Sequence, residues 1–132
     1  MKKVYIADDD NNIIEIIKMT LSKENELKTE YFDNGLDLYR AIQKNIPDAV
    51  VTDIILPKLE GLPMTRLLKF DEFLKKIKVL VISSVIDPDI DEQIKRVKAD
   101  DFLRKPFKPT ELKEKIHKLF IEKEELSDIK ET

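Results

Sequence analysis

The sequence predicts a doubly wound α/β domain, a five-stranded parallel sheet with helices on both faces. Three observations carry that prediction. Apolar runs rich in β-branched residues recur at Val4 to Ala7, Ala49 to Thr52 and Val79 to Ile82, each followed at once by Asp or Ser, which is how strands buried on both faces read. Between these runs the apolar spacing changes to a helical period. The 132 residues also match the size of one domain with a sizeable core.

The elements follow in order. Val4 to Ala7 makes the first strand, and Asp10 or Asn11 starts a helix with Ile13, Ile16, Ile17 and Leu21 as its apolar face. Leu27 to Phe32 is a more polar strand nearer an edge, followed by a helix on Leu36, Leu38, Tyr39 and Ile42. Ala49 to Thr52 is central, and Leu62, Met64, Leu67, Leu68 and Phe70 form the next helical face. Val79 to Ile82 is the fourth strand; Asp87-Pro88 opens the helix of Ile86, Ile90, Ile94 and Val97. Asp101 to Leu103 is a short fifth strand, and Lys108-Pro109-Thr110 opens a last helix on Leu112, Ile116, Leu119 and Phe120. Strict alternation with right-handed crossovers forces the strands parallel and puts helices on both faces. The domain is expected to occupy residues 1–121, with 122–132 a polar extension of the last helix or a linker.

Composition narrows the function. There is no cysteine, so disulfides and thiolate metal sites are excluded. Lys2 and Lys3 lead into only four apolar residues, too few for a signal peptide or a membrane span, so a soluble cytoplasmic protein is expected. Charged residues make up 39% with a net charge of -3, and a binder of nucleic-acid backbone wants a basic face instead.

In an open parallel sheet the working site lies beyond the carboxyl ends of the strands. Asp8 and Asp9, Asp53, and Ser83 stand there. Two like charges about 4 Å apart near a protein surface repel by roughly 4 kcal/mol at an effective dielectric of about 20, so three converging acids call for a cation. Oxygen-only ligation without His or Cys favours Mg²⁺, which keeps positions open for phosphate oxygens. Asp53, followed by a turn that holds Gly61, is a candidate nucleophile, since a carboxylate accepts a phosphoryl group to form an acyl phosphate. Lys105 and Ser83 are placed to stabilise the charge spread over a transferring phosphoryl.

With Asp8-Asp9 after the first strand, Asp53 with Pro57 and Gly61 after the third, Val79-Leu80-Val81-Ile82-Ser83-Ser84 at the fourth and Asp101-Phe102-Leu103-Arg104-Lys105-Pro106-Phe107 at the fifth, the chain resembles the receiver domain of two-component response regulators, a flavodoxin-like fold. The resemblance covers about Lys2 to Phe120. Each motif is common alone; all four in order on a five-unit α/β pattern are specific.

The resemblance implies roles for matching positions. Asp53 would be the phosphoacceptor, served by a sensor histidine kinase, a phosphotransfer protein or a small acyl phosphate. Asp9 would bind Mg²⁺ directly and Asp8 mostly through water, with Asp53 and the backbone carbonyl of Ile55 completing the protein ligands. Ser83 and Lys105 would contact phosphoryl oxygens, and Phe102 would be an aromatic switch that swings inward with the Ser83 loop. The Lys105-Pro106 peptide would be cis. The chain would then be a phosphoacceptor switch that assists its own phosphorylation and dephosphorylation. It would control an output partner or domain by population shift, with dimerisation on phosphorylation as one outcome. The face formed by the fourth helix, fifth strand and fifth helix is where such a partner would bind.

Some positions depart from the family pattern. Ser84 replaces the usual Ala or Gly and Lys98 a common Gly. Phe102 lacks the hydroxyl of Tyr, and Ile55 and Val85 are apolar where many members are polar. Each residue also has an ordinary reading. Asp10 is a helix cap, Asp8 and Asp9 alone are strand-end solvation, Ser83 alone is a strand-ending hydroxyl, Phe102 alone is core packing, and His117 is a surface residue. Rival functions meet specific obstacles. A haloacid-type phosphatase wants an acid two residues after the nucleophile, where Ile55 stands. A flavodoxin-like cofactor binder would meet repulsion from Asp8-Asp9-Asp10. A receiver reduced to protein binding would not need the full set of acids, hydroxyl and Lys.

Overall fold

Alternation of side chains along each strand organises the molecule. The computed structural model describes residues 1–121, so the reading of 122–132 as a helix extension or linker lies outside the described residues. The elements are β1 (Lys2–Ala7), α1 (Asn11–Leu21), β2 (Leu27–Phe32), α2 (Gly35–Lys44), β3 (Ala49–Asp53), α3 (Gly61–Lys69), β4 (Lys78–Ser83), α4 (Pro88–Arg96), β5 (Asp101–Arg104) and α5 (Pro109–Leu119). All pairings are parallel, in the order β2-β1-β3-β4-β5. The strand order reverses between β1 and β3, and such a switch point opens a crevice at the carboxyl ends.

Because successive strand residues point to opposite faces, β1 feeds two cores. Val4 and Ile6 pack with Val51, Leu80 and Ile82 against α1 and α5, through Ile14, Ile17, Leu112 and Ile116. Tyr5 and Ala7 pack with Val50, Val79 and Val81 against α2, α3 and α4, through Leu38, Ile42, Met64, Leu68 and Ile94. Every residue of β3 is buried, which explains the apolar Ala49-Val50-Val51 that leads to Thr52 and Asp53.

The helix starts follow local chemistry. Asp10 Oδ1 accepts from Asn12 N at 2.9 Å, Asn34 Oδ1 from Asp37 N at 2.8 Å and Asp87 Oδ1 from Asp89 N at 2.9 Å. Each thereby satisfies a backbone donor that the first turn leaves open. Pro88 and Pro109 occupy first-turn positions where no N–H is needed.

The structure corrects four expected core positions. Ile16, Leu67, Phe70 and Ile86 are exposed. On α1 the buried stripe runs through Ile14, Ile17 and Leu21, and Ile16 sits one residue, about 100°, off it. On α3 the stripe is Leu62, Met64, Thr65 and Leu68, which turns Leu67 outward, and Phe70 lies past the last turn. Ile86 precedes the Asp87 cap and belongs to a loop rather than to α4. Leu74 and Ile77, in the turns between α3 and β4, complete the core instead.

Candidate functional site

Asp8 follows β1 and Asp53 ends β3, and these strands are neighbours, so both carboxylates reach one crevice. Asp9 joins them: one oxygen from each of Asp8, Asp9 and Asp53 lies within 4.8 Å of the others. Asp8 is 1% exposed and Asp53 9%, whereas Asp9 is open to solvent. Lys105, one residue past β5, extends its Nζ to 2.8 Å from Asp8 Oδ2 and 2.9 Å from Asp53 Oδ2. Asp8 Oδ1 also accepts from Asp10 N at 2.9 Å. Among the described residues, Asp9 forms no ion pair.

Burial pushes the Asp8 carboxyl above its usual range, against the opposing hydrogen bonds from Lys105 and Asp10 N; the Asp53 charge adds to the rise. For Lys105 burial favours the neutral amine, yet hydrogen bonds and charges from Asp8 and Asp53 outweigh it and raise its pKa. One ammonium thus faces three acids, leaving an excess of negative charge. The donor set is all oxygen and compact, which fits a small hard divalent ion and not a thiolate or imidazole metal.

Ser83 ends β4 and is fully buried. Its Oγ accepts from Val85 N at 2.9 Å, which leaves the hydroxyl proton free to donate. Its carbonyl accepts from Lys105 N at 2.8 Å, extending the β4-β5 ladder to the site lysine. The Lys105-Pro106 peptide is cis. Phe102 is half-buried and packs against the core on the α4 side. Ile55 is 59% exposed and its N–H lies 3.4 Å from Asp53 Oδ1. Ser84 is exposed and Val85 half-buried. Lys98 takes a left-handed conformation, φ 64°, just after α4, so the helix end keeps the turn a glycine would make, with a lysine in it.

Asp8, Asp9, Asp53 and Lys105 are therefore brought together, with Ser83 on the strand next to Asp53. His117 is half-exposed near Glu24, 3.6 Å away, on α5 and apart from this group. Two features escaped sequence reasoning: the contacts of Arg104, and the close backbone packing at the two glycines, of which only Gly61 was singled out, as part of the turn after Asp53. Arg104 reaches the β4-α4 loop, and the only signal was its place between Phe102 and Lys105. Both glycines of the chain press on the β3-α3 loop. A Cβ at Gly61 would stand 2.0 Å from the Asp53 carbonyl oxygen and one at Gly35 1.7 Å from that of Leu59. Gly61 N donates to Ile54 O at 2.9 Å and Gly35 N to Pro57 O at 3.2 Å.

The family model described as response regulator receiver domain matches residues 4–117. Chemotaxis protein CheY-3 of Vibrio cholerae is 30% identical over 118 residues, covering 89% of this chain and 91% of that protein. Protein RcaC of Microchaete diplosiphon is 32% identical over 114 residues, 86% of this chain, but the match spans only 17% of that protein. Among solved structures, the signal receiver domain of a signal transduction histidine kinase from Syntrophus aciditrophicus matches with a TM-score of 0.83 at 27% identity, over 90% of this chain and 89% of that one.

Proposed function

Since the chain belongs to the response regulator receiver family, whose members are phosphoacceptor switches in two-component signalling, we propose that Asp53 is its phosphoacceptor and that Asp8, Asp9 and Asp53, with the Ile55 carbonyl, hold Mg²⁺. The observation that carries this reading is the joint approach of Lys105 Nζ to Asp8 and Asp53 beside the third acid, Asp9.

An Asp53 carboxylate oxygen attacks phosphorus in line. The P–N bond of a phosphohistidine, or the P–O bond of a small acyl phosphate, breaks; the electron pair leaves with the donor, and an aspartyl phosphate remains. Bound Mg²⁺ supplies charge neutralisation for the acid cluster and the phosphoryl oxygens. Lys105 exchanges its Asp53 contact for a phosphoryl oxygen while keeping Asp8, which holds the ammonium in place. Ser83 donates its free hydroxyl proton to another phosphoryl oxygen and draws the Val85 peptide inward. Phe102 then follows into the space the loop vacates. The exposed side chain of Ile55 and the half-buried Val85 flank the path of a hydrolytic water and slow the loss of phosphate.

The receiver unit is residues 1–121. Its upstream partner is a sensor histidine kinase or phosphotransfer protein; its downstream partner is a protein or output domain that reads the α4-β5-α5 face, with dimerisation as one form of readout. The domain itself makes no nucleic-acid contact. No described helix is long and apolar enough to cross a membrane, in keeping with a cytoplasmic site of action.

The test is intact mass after incubation with acetyl phosphate and Mg²⁺. The wild type gains one phosphoryl group and Asp53→Asn none. An unmodified wild type, also after incubation with phosphorylated histidine kinases, overturns the reading.

A further inference from the structure

Arg104 occupies the last position of β5 and, two residues after Phe102, shares its sheet face. Its guanidinium lies 5.1 Å from the centre of the Phe102 ring. Nη1 donates to the Val85 carbonyl at 2.8 Å, and Nη2 reaches Asp91 Oδ1 on α4 at 3.4 Å. Val85 in turn gives its N–H to Ser83 Oγ. One side chain therefore touches the aromatic residue, the loop and the helix, and it grips the same residue whose N–H engages the Ser83 hydroxyl.

The Arg104-Asp91 pair is itself 37% and 49% exposed, so as an ion pair it contributes little. The forked geometry matters more. A planar guanidinium can stack on a ring and donate in two directions at once, which an ammonium does not reproduce. Residues 84–87 form no regular structure, so a hold on the Val85 carbonyl falls where the loop has few other ties.

We propose that Arg104 is a positioning residue that latches the β4-α4 loop in its present arrangement, and so sets how readily Ser83 and Phe102 adopt the phosphoryl-bound one. The proposal rests on the reading of Asp53 as phosphoacceptor and deepens it. Drawing Ser83 and the Val85 peptide toward Asp53 moves the Val85 carbonyl away from an anchor fixed on β5 and α4. The Arg104-Val85 hydrogen bond belongs to one arrangement only, and a contact that favours one state shifts the equilibrium by its differential strength. Phosphorylation must overcome that bond, and its removal makes switching easier.

The test compares wild type, Arg104→Gln, Asp91→Asn and the double variant, each as the full chain, by two measurements. Amide hydrogen exchange without any phosphoryl mimic reads the latch. Exchange in the segment from Ser84 to Asp91 speeds up about tenfold in Arg104→Gln, as expected for loss of one charge-assisted hydrogen bond, while β1 and β3 amides do not change. Titration with beryllofluoride and Mg²⁺ reads the coupling. Apparent affinity rises about five- to tenfold in Arg104→Gln and less in Asp91→Asn. The double variant goes no further than Arg104→Gln, because Asp91 acts through Arg104.

Unchanged loop exchange overturns the latch. Faster exchange with unchanged or weaker beryllofluoride affinity overturns its coupling to the site. A wild type that binds no beryllofluoride refutes the Asp53 reading and the coupling with it, while the exchange result still decides whether Arg104 clamps the loop. Should Arg104→Gln fail to fold, Arg104→Lys retains the charge and stem but cannot fork, and an intermediate change in both measurements is then required.

Discussion

Asp9→Asn should stabilise the metal-free protein and weaken it relative to wild type when Mg²⁺ is present. Carboxylate oxygens of Asp8, Asp9 and Asp53 lie within 4.8 Å of one another. Two unit charges at that separation interact by about 3.5 kcal/mol at an effective dielectric of 20 and by about 0.9 kcal/mol in bulk water. Lys105 contacts Asp8 and Asp53, so these three groups together carry about one net negative charge, and Asp9 faces roughly one uncompensated repulsion. Asp9 is solvent-exposed, which places the effect toward the lower figure, about 1 to 2 kcal/mol. Urea denaturation in a chelator should show a higher midpoint for Asp9→Asn with an unchanged slope. Mg²⁺ at a hundred times its dissociation constant should add about 2.7 kcal/mol to the wild type by mass action and far less to Asp9→Asn, reversing the order. An Asp9→Asn protein no more stable than wild type in the chelator, or one that gains as much from Mg²⁺, would refute the reasoning.

Replacing Ile55→Asn together with Val85→Glu should shorten the aspartyl phosphate lifetime about tenfold, equivalent to about 1.4 kcal/mol in the hydrolysis barrier, as followed by the decay of the mass adduct; an unchanged decay means these side chains do not obstruct the water. Lys98→Gly should raise stability by about 0.5 to 1 kcal/mol, since a non-glycine residue at φ 64° costs about 1 to 2 kcal/mol and loss of the Lys98 contact with the Phe70 ring offsets part of the gain. The folded pKa of Lys105 is raised above its ordinary 10.5, burial being outweighed by Asp8 and Asp53. Its stabilisation is therefore complete below the unfolded value and is lost as pH rises through the folded one. Denaturation midpoints of wild type should fall more steeply than those of Lys105→Gln above about pH 10.5, and parallel curves would remove this contribution.

Much of the fold could be read from strand ends. Val4 to Ala7, Ala49 to Thr52 and Val79 to Ile82 announce themselves because a strand covered on both faces is almost wholly apolar, and the Asp or Ser that follows each run marks the carboxyl end of the strand, where the chain turns into the crevice. That same boundary made Asp8, Asp9, Asp53 and Ser83 visible as candidates. Helical phase was harder. Ile13, Ile14, Ile16 and Ile17 offer four apolar residues in five positions, and only the seat of α1 on the sheet selects Ile14 and Ile17 over Ile16. Leu67 fails for the same reason, whereas Phe70 fails because α3 ends at Lys69, before it. Arg104 was not legible as a loop contact, because its partners Val85 and Asp91 are 19 and 13 residues away and no spacing rule connects them.

The two glycines bear on mutational tolerance. Gly35 and Gly61 lie 26 positions apart in the sequence, yet each admits a backbone carbonyl where a methyl group would collide, and both collisions fall on the segment that leaves Asp53. In a saturation library of this domain the two would behave as one locus. Every replacement, alanine included, would register as damage at either position, though neither carries a functional group. A library scored only for side chains that touch the acids would overlook both, and a graft of this site that carries α2 along must carry Gly35 unchanged.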